Sequence, residues 1–296
     1  MEIRNLMTFV QVAELNSFTK AARVLDYSQS TVSFQIKQLE TELGCLLFDR
    51  INHTLNLTDK GRELLDYAQK VTRLTGEFRQ NMSENTRVEG YIHVLTPDSL
   101  CEAMLVSNYA DFYARYPGIR LKFSTADTED MFQILDRNEA DVMLTLDSRV
   151  YQKDYVIAKE AKLSAHFVVG AKSPLAKRGK ISIKELVAEP FILTEQGMGY
   201  RRVLDKQLAK MSLELQPVLE ISRTDIITKM LETGNAVSFL PDFTTRRKVE
   251  EGVLVYLDVP DVEIDIWQQL IYHRNKWISR ALDVFLEYVS EKEFQR

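Results

Sequence analysis

Cysteine is nearly absent from the chain: only Cys45 and Cys101 occur, far apart in sequence. That excludes a disulfide framework, and the four histidines show no metal-ligand spacing with them. No apolar run approaches the roughly 18 residues that a membrane span needs. The start, Met1-Glu2-Ile3-Arg4-Asn5, leads into an amphipathic segment and not into a basic stretch followed by an apolar one. No secretory signal is read, so a cytoplasmic location without a membrane partner is expected. Glycine-rich phosphate loops, nucleophile elbows and nucleophile–base signatures are missing as well, so neither an enzyme nor a cofactor is expected. Positive charge is also not in excess. The net charge is −5, and residues 1–90 carry eleven Lys and Arg against twelve Asp and Glu. Bulk charge therefore makes no case for nucleic acid, and any such case must rest on pattern.

The composition, 45% hydrophobic and 27% charged, is that of a soluble globular protein. A chain of 296 residues exceeds one simple core and suggests two domains plus a connection. Ile3, Leu6, Met7, Val10 and Ala13 recur at helical spacing. Asn16-Ser17 ends that helix and caps a short second one containing Ala21, Ala22, Val24 and Leu25. Ser28 is placed to cap a third helix from Gln29 to about Leu43. Val32, Ile36, Leu39 and Leu43 make its buried stripe, while Ser30, Ser33, Phe34 and Lys37 share another face. Small hydroxyls and a lysine let such a face approach base edges, and the Gln29 amide can pair with adenine. An ordinary solvated helix face reads equally well from this helix alone. Gly44 stops the helix, and two short strands around Asn52-His53 form a hairpin, with Arg50 and His53 near phosphates.

The string Phe9-Val10…Ser17-Phe18-Thr19-Lys20-Ala21-Ala22…Ser28-Gln29-Ser30…Gln35-Ile36…Leu39-Glu40…Leu43-Gly44…Leu47-Phe48-Asp49-Arg50…Leu57-Thr58…Gly61 closely resembles the DNA-binding domain of LysR-type regulators. The resemblance implies a winged helix-turn-helix, with Ser28, Gln29, Ser30, Ser33, Phe34 and Lys37 in or beside the major groove. Arg50, His53 and Thr58 would then hold the phosphate backbone. Phe34 departs from the arginine common at its position; a ring contacts thymine methyls but forms no forked bond to guanine. Fewer basic wing residues imply fewer phosphate contacts and a shallow salt dependence.

After Gly61, Leu64, Ala68, Val71, Thr75, Phe78 and Met82 step by four and three, a heptad seam. A helix packed on its own domain fits the spacing too; the resemblance favours dimerisation through Leu64, Ala68, Val71 and Phe78. A dimer reads a pseudo-palindromic operator in double-stranded DNA. Family resemblance also implies homodimers or tetramers and contact with RNA polymerase.

From Tyr91 the pattern becomes alternating strands and helices, an α/β arrangement. Tyr113-Ala114-Arg115-Tyr116-Pro117-Gly118, Asn138-Glu139-Ala140-Asp141-Val142 and Gly234-Asn235-Ala236-Val237 resemble the family's effector domain, a two-lobed fold like a periplasmic binding protein. The expected division is residues 1–58, a linker helix over 59–89 and an effector domain over 90–296. In open α/β sheets, ligands bind beyond the strand C-ends at helix N-termini. Those positions hold Thr96, Asp98, Ser99, Ser124, Thr125, Thr128, Thr194, Gln196, Gly197 and Thr224. They suit a small polar effector; singly, each reads as a helix cap. Tyr200, Arg201 and Arg202 stand near as further anion partners, with an exposed surface position reading at least as well for Arg202, while Trp267 and Trp277 read as core or lobe-packing residues.

Overall fold

The computed structural model describes residues 1–51, 54–82 and 88–294, without the side chains of residues 50, 51, 54, 73, 74 and 76–82. His53 and the side chains of Arg50 and Phe78 thus lie outside the described residues. The N-terminal unit contains α1 (Ile3–Leu15), α2 (Phe18–Val24), α3 (Gln29–Leu43), β1 (Phe48–Ile51), β2 (Thr54–Leu57) and α4 (Asp59–Met82). Ser17 and Ser28 cap α2 and α3 by accepting from the Lys20 and Thr31 amides. Gly44, at φ 67°, takes the left-handed conformation that ends α3. Phe9 packs against Phe48 with ring centroids 5.4 Å apart and the planes tilted by 55°, closing a core built from Leu6, Val10, Ala21, Val32, Ile36 and Leu39. The stripe stops short of Leu43, which is exposed at the helix end, and Val24 on α2 is exposed as well.

β3 (Glu89–Leu95), α5 (Asp98–Arg115), β4 (Gly118–Ser124), α6 (Thr128–Asp136), β5 (Val142–Asp147) and β6 (Tyr155–Leu163) begin the second unit. β7 (Ala165–Gly170), α7 (Ile183–Leu186), β8 (Ile192–Leu193), α8 (Gly199–Lys210), β9 (Leu219–Glu220), α9 (Thr224–Thr233) and β10 (Val237–Pro241) form most of a further lobe. α10 (Asp242–Glu250) and β11 (Leu254–Tyr256) complete that lobe, and β12 (Ile266–His273) returns the chain to the first before α11 (Arg280–Lys292).

The first lobe's sheet runs β4-β3-β5-β12-β6, with β3 parallel to β4 and β5. The alternation of strands and helices read from the sequence gives this part its parallel pairs. The returning β12 lies antiparallel between β5 and β6, so the sheet as a whole is mixed. In the second lobe β7 is antiparallel to both β10 and β11. The chain crosses between the lobes twice, at the end of β6 and before β12, and Lys162 pairs with Asp265 at the crossing. One continuous apolar core reaches from Val94 and Leu144 in the first lobe to Phe191 and Leu204 in the second.

The two units also touch. Trp277 packs against the N-terminal core, and its backbone N–H donates to the Glu14 carboxylate. The Gln69 amide of α4 donates to the Asn275 carbonyl at 2.8 Å. Lys276 beneath them pairs with Asp141 at 2.7 Å and donates to Asn138. Trp277, expected as core, is therefore core to the other unit.

Burial pushes the Glu14 carboxyl up to about 7, against the opposing pull of Lys276. A carboxyl raised in this way binds a proton more tightly when docked than when free. The contact is therefore firmest at low pH and loses stability as pH rises toward and through 7. Between pH 6 and pH 8 the loss is on the order of 1 kcal/mol. Hydrogen exchange at the Trp277 amide, corrected for its intrinsic rate, is expected to show weaker protection at pH 8, and Glu14→Gln to remove that difference. Equal pH dependence in both proteins would refute it.

Candidate functional site

Two surfaces carry the candidate chemistry. The first is the free face of α3. Ser30, Phe34 and Lys37 are exposed on it, and Phe34 presents 67% of its surface to solvent. A ring that open has no packing role in the isolated subunit. The Gln29 amide donates to Ser33 Oγ at 3.0 Å, and Ser28 Oγ lies 2.7 Å from Ser30 Oγ. These local bonds hold the polar groups in one row at the helix start, in reach of an edge that can replace them. The opposite face is fixed by a buried polar pair that sequence reasoning passed over: Thr8 donates to Gln35 Oε1 at 2.6 Å. This bond, with Asn5 donating to Gln38, sets how α3 lies on α1. Thr58, expected at the DNA backbone, donates its proton to the Leu46 carbonyl at 2.7 Å and accepts from the Gly61 amide. It fixes the start of α4 and has no proton left for a phosphate.

On α4, Leu65, Ala68 and Thr72 are buried. Leu65 and Ala68 belong to the N-terminal core, with Leu64 packed at its margin. Ala68 was expected in an intersubunit seam; its methyl is covered by its own domain and cannot reach a partner. The face that remains open carries Tyr67, 62% exposed, and Val71, 37% exposed.

The second surface is the cleft between the lobes. The structure brings Asp98, Ser99, Thr125, Thr128, Thr194 and Thr224 to it. Met131, Leu146, Met198, Gly199, Tyr200 and Ser222 share the lining. Four expected residues are not part of it. Thr96 is buried and turned to the Pro97 carbonyl, and Ser124 bonds the His93 ring at 2.8 Å. Gln196 is exposed, and Gly197, at φ 90°, shapes the turn leading into α8.

The lobes meet closely here. A Cβ on Gly199 would come within 2.2 Å of the Leu146 carbonyl oxygen, so only glycine permits this approach. Arg202 of α8 reaches across to Asp147 of β5 at 2.7 Å, with the carboxylate buried. Arg201, one residue earlier and about 100° around the helix, is buried and holds Asp205 at 2.8 Å and the Thr194 carbonyl. Neither arginine is an open anion partner, as the sequence had suggested; one fastens the lobes and the other braces a loop. About 30 Å³ of free space remains in the cleft, the room of about one water molecule.

Three hydroxyls around that space, Ser99 Oγ, Thr194 Oγ1 and Tyr200 OH, are buried without a hydrogen-bond partner. Thr194 and Tyr200 lie within reach of each other. Burial drives the Tyr200 phenol well above its ordinary pKa, so it stays a neutral donor. α5, α8 and α9 also start at the cleft with no side-chain cap on Pro97, Met198 or Arg223. Their first-turn N–H groups are the usual unsatisfied ones. Cys101, one turn into α5, has its thiol pushed up by burial and by Asp98. It is not poised as a thiolate. Among the described residues no cluster of metal-ligating side chains occurs, and no helix is long and apolar enough to cross a membrane.

Residues 3–62 match the bacterial regulatory helix-turn-helix proteins of the lysR family, and residues 85–293 match the LysR substrate binding domain. The RuBisCO operon transcriptional regulator of Allochromatium vinosum is 28% identical over 291 residues, covering 98% of this chain and 95% of that one. The HTH-type transcriptional activator CmpR of Synechocystis is 27% identical, covering 95% and 92%. Among solved structures, CrgA, a LysR-type transcriptional regulator from Neisseria meningitidis, covers both chains fully with a TM-score of 0.58 at 23% identity.

A buried hydroxyl left unpaired costs about 1–3 kcal/mol. Thr194→Val is isosteric and removes one of them, so the ligand-free protein should gain about 1 kcal/mol of stability. Chemical denaturation measures this; a loss of stability would mean that the Thr194 hydroxyl is already satisfied.

Proposed function

The chain belongs to the LysR family of transcriptional regulators, and from that premise we propose how its own residues divide the work. The protein is a DNA-binding regulator with an effector-binding domain. Gln29, Ser30, Ser33, Phe34 and Lys37 of α3 enter the major groove of a double-stranded operator. Ser28 holds the start of that helix, and Arg50, His53 and Thr58 flank the groove. The observation that carries this reading is the exposed Phe34 ring in a row of bonded hydroxyls and amide on an otherwise well-packed helix. Phe34 selects a thymine by its methyl group where a guanine-reading arginine would select its own base.

The effector is a small polar molecule held between the lobes by Asp98, Ser99, Thr125, Thr128, Thr194 and Thr224. It works by binding one arrangement of the lobes better than another. Subunits pair through the open face of α4, with Tyr67 and Val71 in the contact; heptad spacing extends the stripe toward Phe78. Pairing presents two α3 helices to two half-sites, so the operator is pseudo-palindromic. Tetramers, contact with RNA polymerase and a cytoplasmic site of action follow from the same reading. The reading keeps the division into residues 1–58, a linker helix over 59–89 and an effector domain over 90–296, with α4 beginning at Asp59 and β3 at Glu89.

Gln29→Ala is expected to weaken binding to the selected operator by about 1–3 kcal/mol while leaving random-duplex binding unchanged. Replacing the contacted thymine by uracil should cost about 0.8 kcal/mol, roughly fourfold in affinity, and Phe34→Ala should abolish that difference. Fluorescence anisotropy on matched duplexes reads both; equal discrimination by wild type and Gln29→Ala sinks the assignment. Val71→Glu should convert dimers to monomers in light scattering, and intact dimers would remove α4 from the contact.

A further inference from the structure

The geometry points to a zwitterion, a neutral α-amino acid with a short side chain, as the ligand of the interlobe cleft. This inference rests on the reading of that cleft as the effector site and names what it accepts. Three uncapped helix starts, those of α5, α8 and α9, gather there with the unpartnered hydroxyls of Ser99, Thr194 and Tyr200. Helix N-termini carry partial positive charge and free N–H donors, and neutral hydroxyls add further donors. Together they fit one carboxylate.

A more highly charged anion is not provided for. Each guanidinium near the cleft already has a carboxylate: Arg201 holds Asp205, Arg202 holds Asp147, and Arg223 holds Asp225 at 2.8 Å. No Lys or Arg lines the space. A phosphate dianion would meet helix dipoles and neutral hydroxyls but no cation, with an acid beside it.

That acid is the second half of the argument. Asp98, the first residue of α5, lines the same cleft and accepts from Thr125 at 2.8 Å. A bare carboxylate bound at the helix starts would be repelled by Asp98. A molecule that also carries an ammonium group turns the repulsion into an ion pair. Asp98 and Ser99, at the start of α5, both line this one small cleft, which suits a molecule with its two charges close together. Beside the hydroxyls of Thr128, Ser222 and Thr224, the lining includes the apolar Ala126, Met131, Leu146 and Met198, and this mixture takes a short uncharged side chain. With about 30 Å³ free, the lobes must part to admit it.

The test is thermal unfolding of the full chain with the L-α-amino acids from glycine to valine, propionate, ethylamine and inorganic phosphate, each at about 10 mM. At least one amino acid is expected to raise Tm by about 5 °C, with no shift from propionate, ethylamine or phosphate. Ser99→Ala should abolish the shift, and Asp98→Asn should weaken the amino acid at least tenfold in titration while letting propionate bind. Equal or stronger stabilisation by propionate or phosphate, lost in Ser99→Ala, overturns the zwitterion and leaves the cleft reading intact. So does the absence of any shift from the amino acids. A shift that survives both Ser99→Ala and Thr194→Val puts the ligand elsewhere and overturns both.

Discussion

A hydroxyl buried without a protein partner carries a cost, and this protein gathers three of them where its lobes meet. The closeness of that meeting is set by Gly199 under the Leu146 carbonyl and is fastened by Arg202 on Asp147. A ligand that supplies partners to Ser99, Thr194 and Tyr200 lowers the free energy of whichever lobe arrangement holds it. The cleft is thus a place where a small molecule has a differential effect, which is what control by a ligand requires.

That place is physically continuous with the DNA-binding unit. β12 carries the chain back from the second lobe, lies between β5 and β6, and ends at His273. Within four residues the chain delivers Trp277 to the N-terminal core and its amide to Glu14. Glu14 sits near the end of α1, and α1 holds α3 through Thr8 and Gln35. The chain of contacts from cleft to groove face is short and mostly buried. It is a route of contact; coupling along it is a matter for measurement.

Much of this was legible in the sequence. Helical spacing, serine caps and Gly44 marked the first three helices, and the strand C-ends marked six of the residues that line the cleft. What escaped has physical reasons. α10, Asp242-Phe-Thr-Thr-Arg-Arg-Lys-Val-Glu250, lies mostly at the surface and shows little apolar periodicity. β6 alternates poorly because its burial is partial along most of its length. Ala68 obeyed a heptad, but spacing cannot say whether a covered face meets a partner or its own domain. Arg201 and Arg202 look alike in sequence and leave their helix in different directions, one into a buried brace and the other across the lobes. The unpaired state of Ser99, Thr194 and Tyr200 is a property of packing alone.

The central claim is that a groove-reading helix and a ligand cleft act in one molecule. It is tested most directly by selecting duplexes from a random pool with the purified chain, then measuring affinity for the winner with and without small-molecule cell extract. The account predicts a preference over random duplex of at least about a thousandfold. It also predicts a change in affinity on adding extract that disappears in Ser99→Ala. A chain that enriches no sequence, or one whose response to extract is untouched by that substitution, contradicts it.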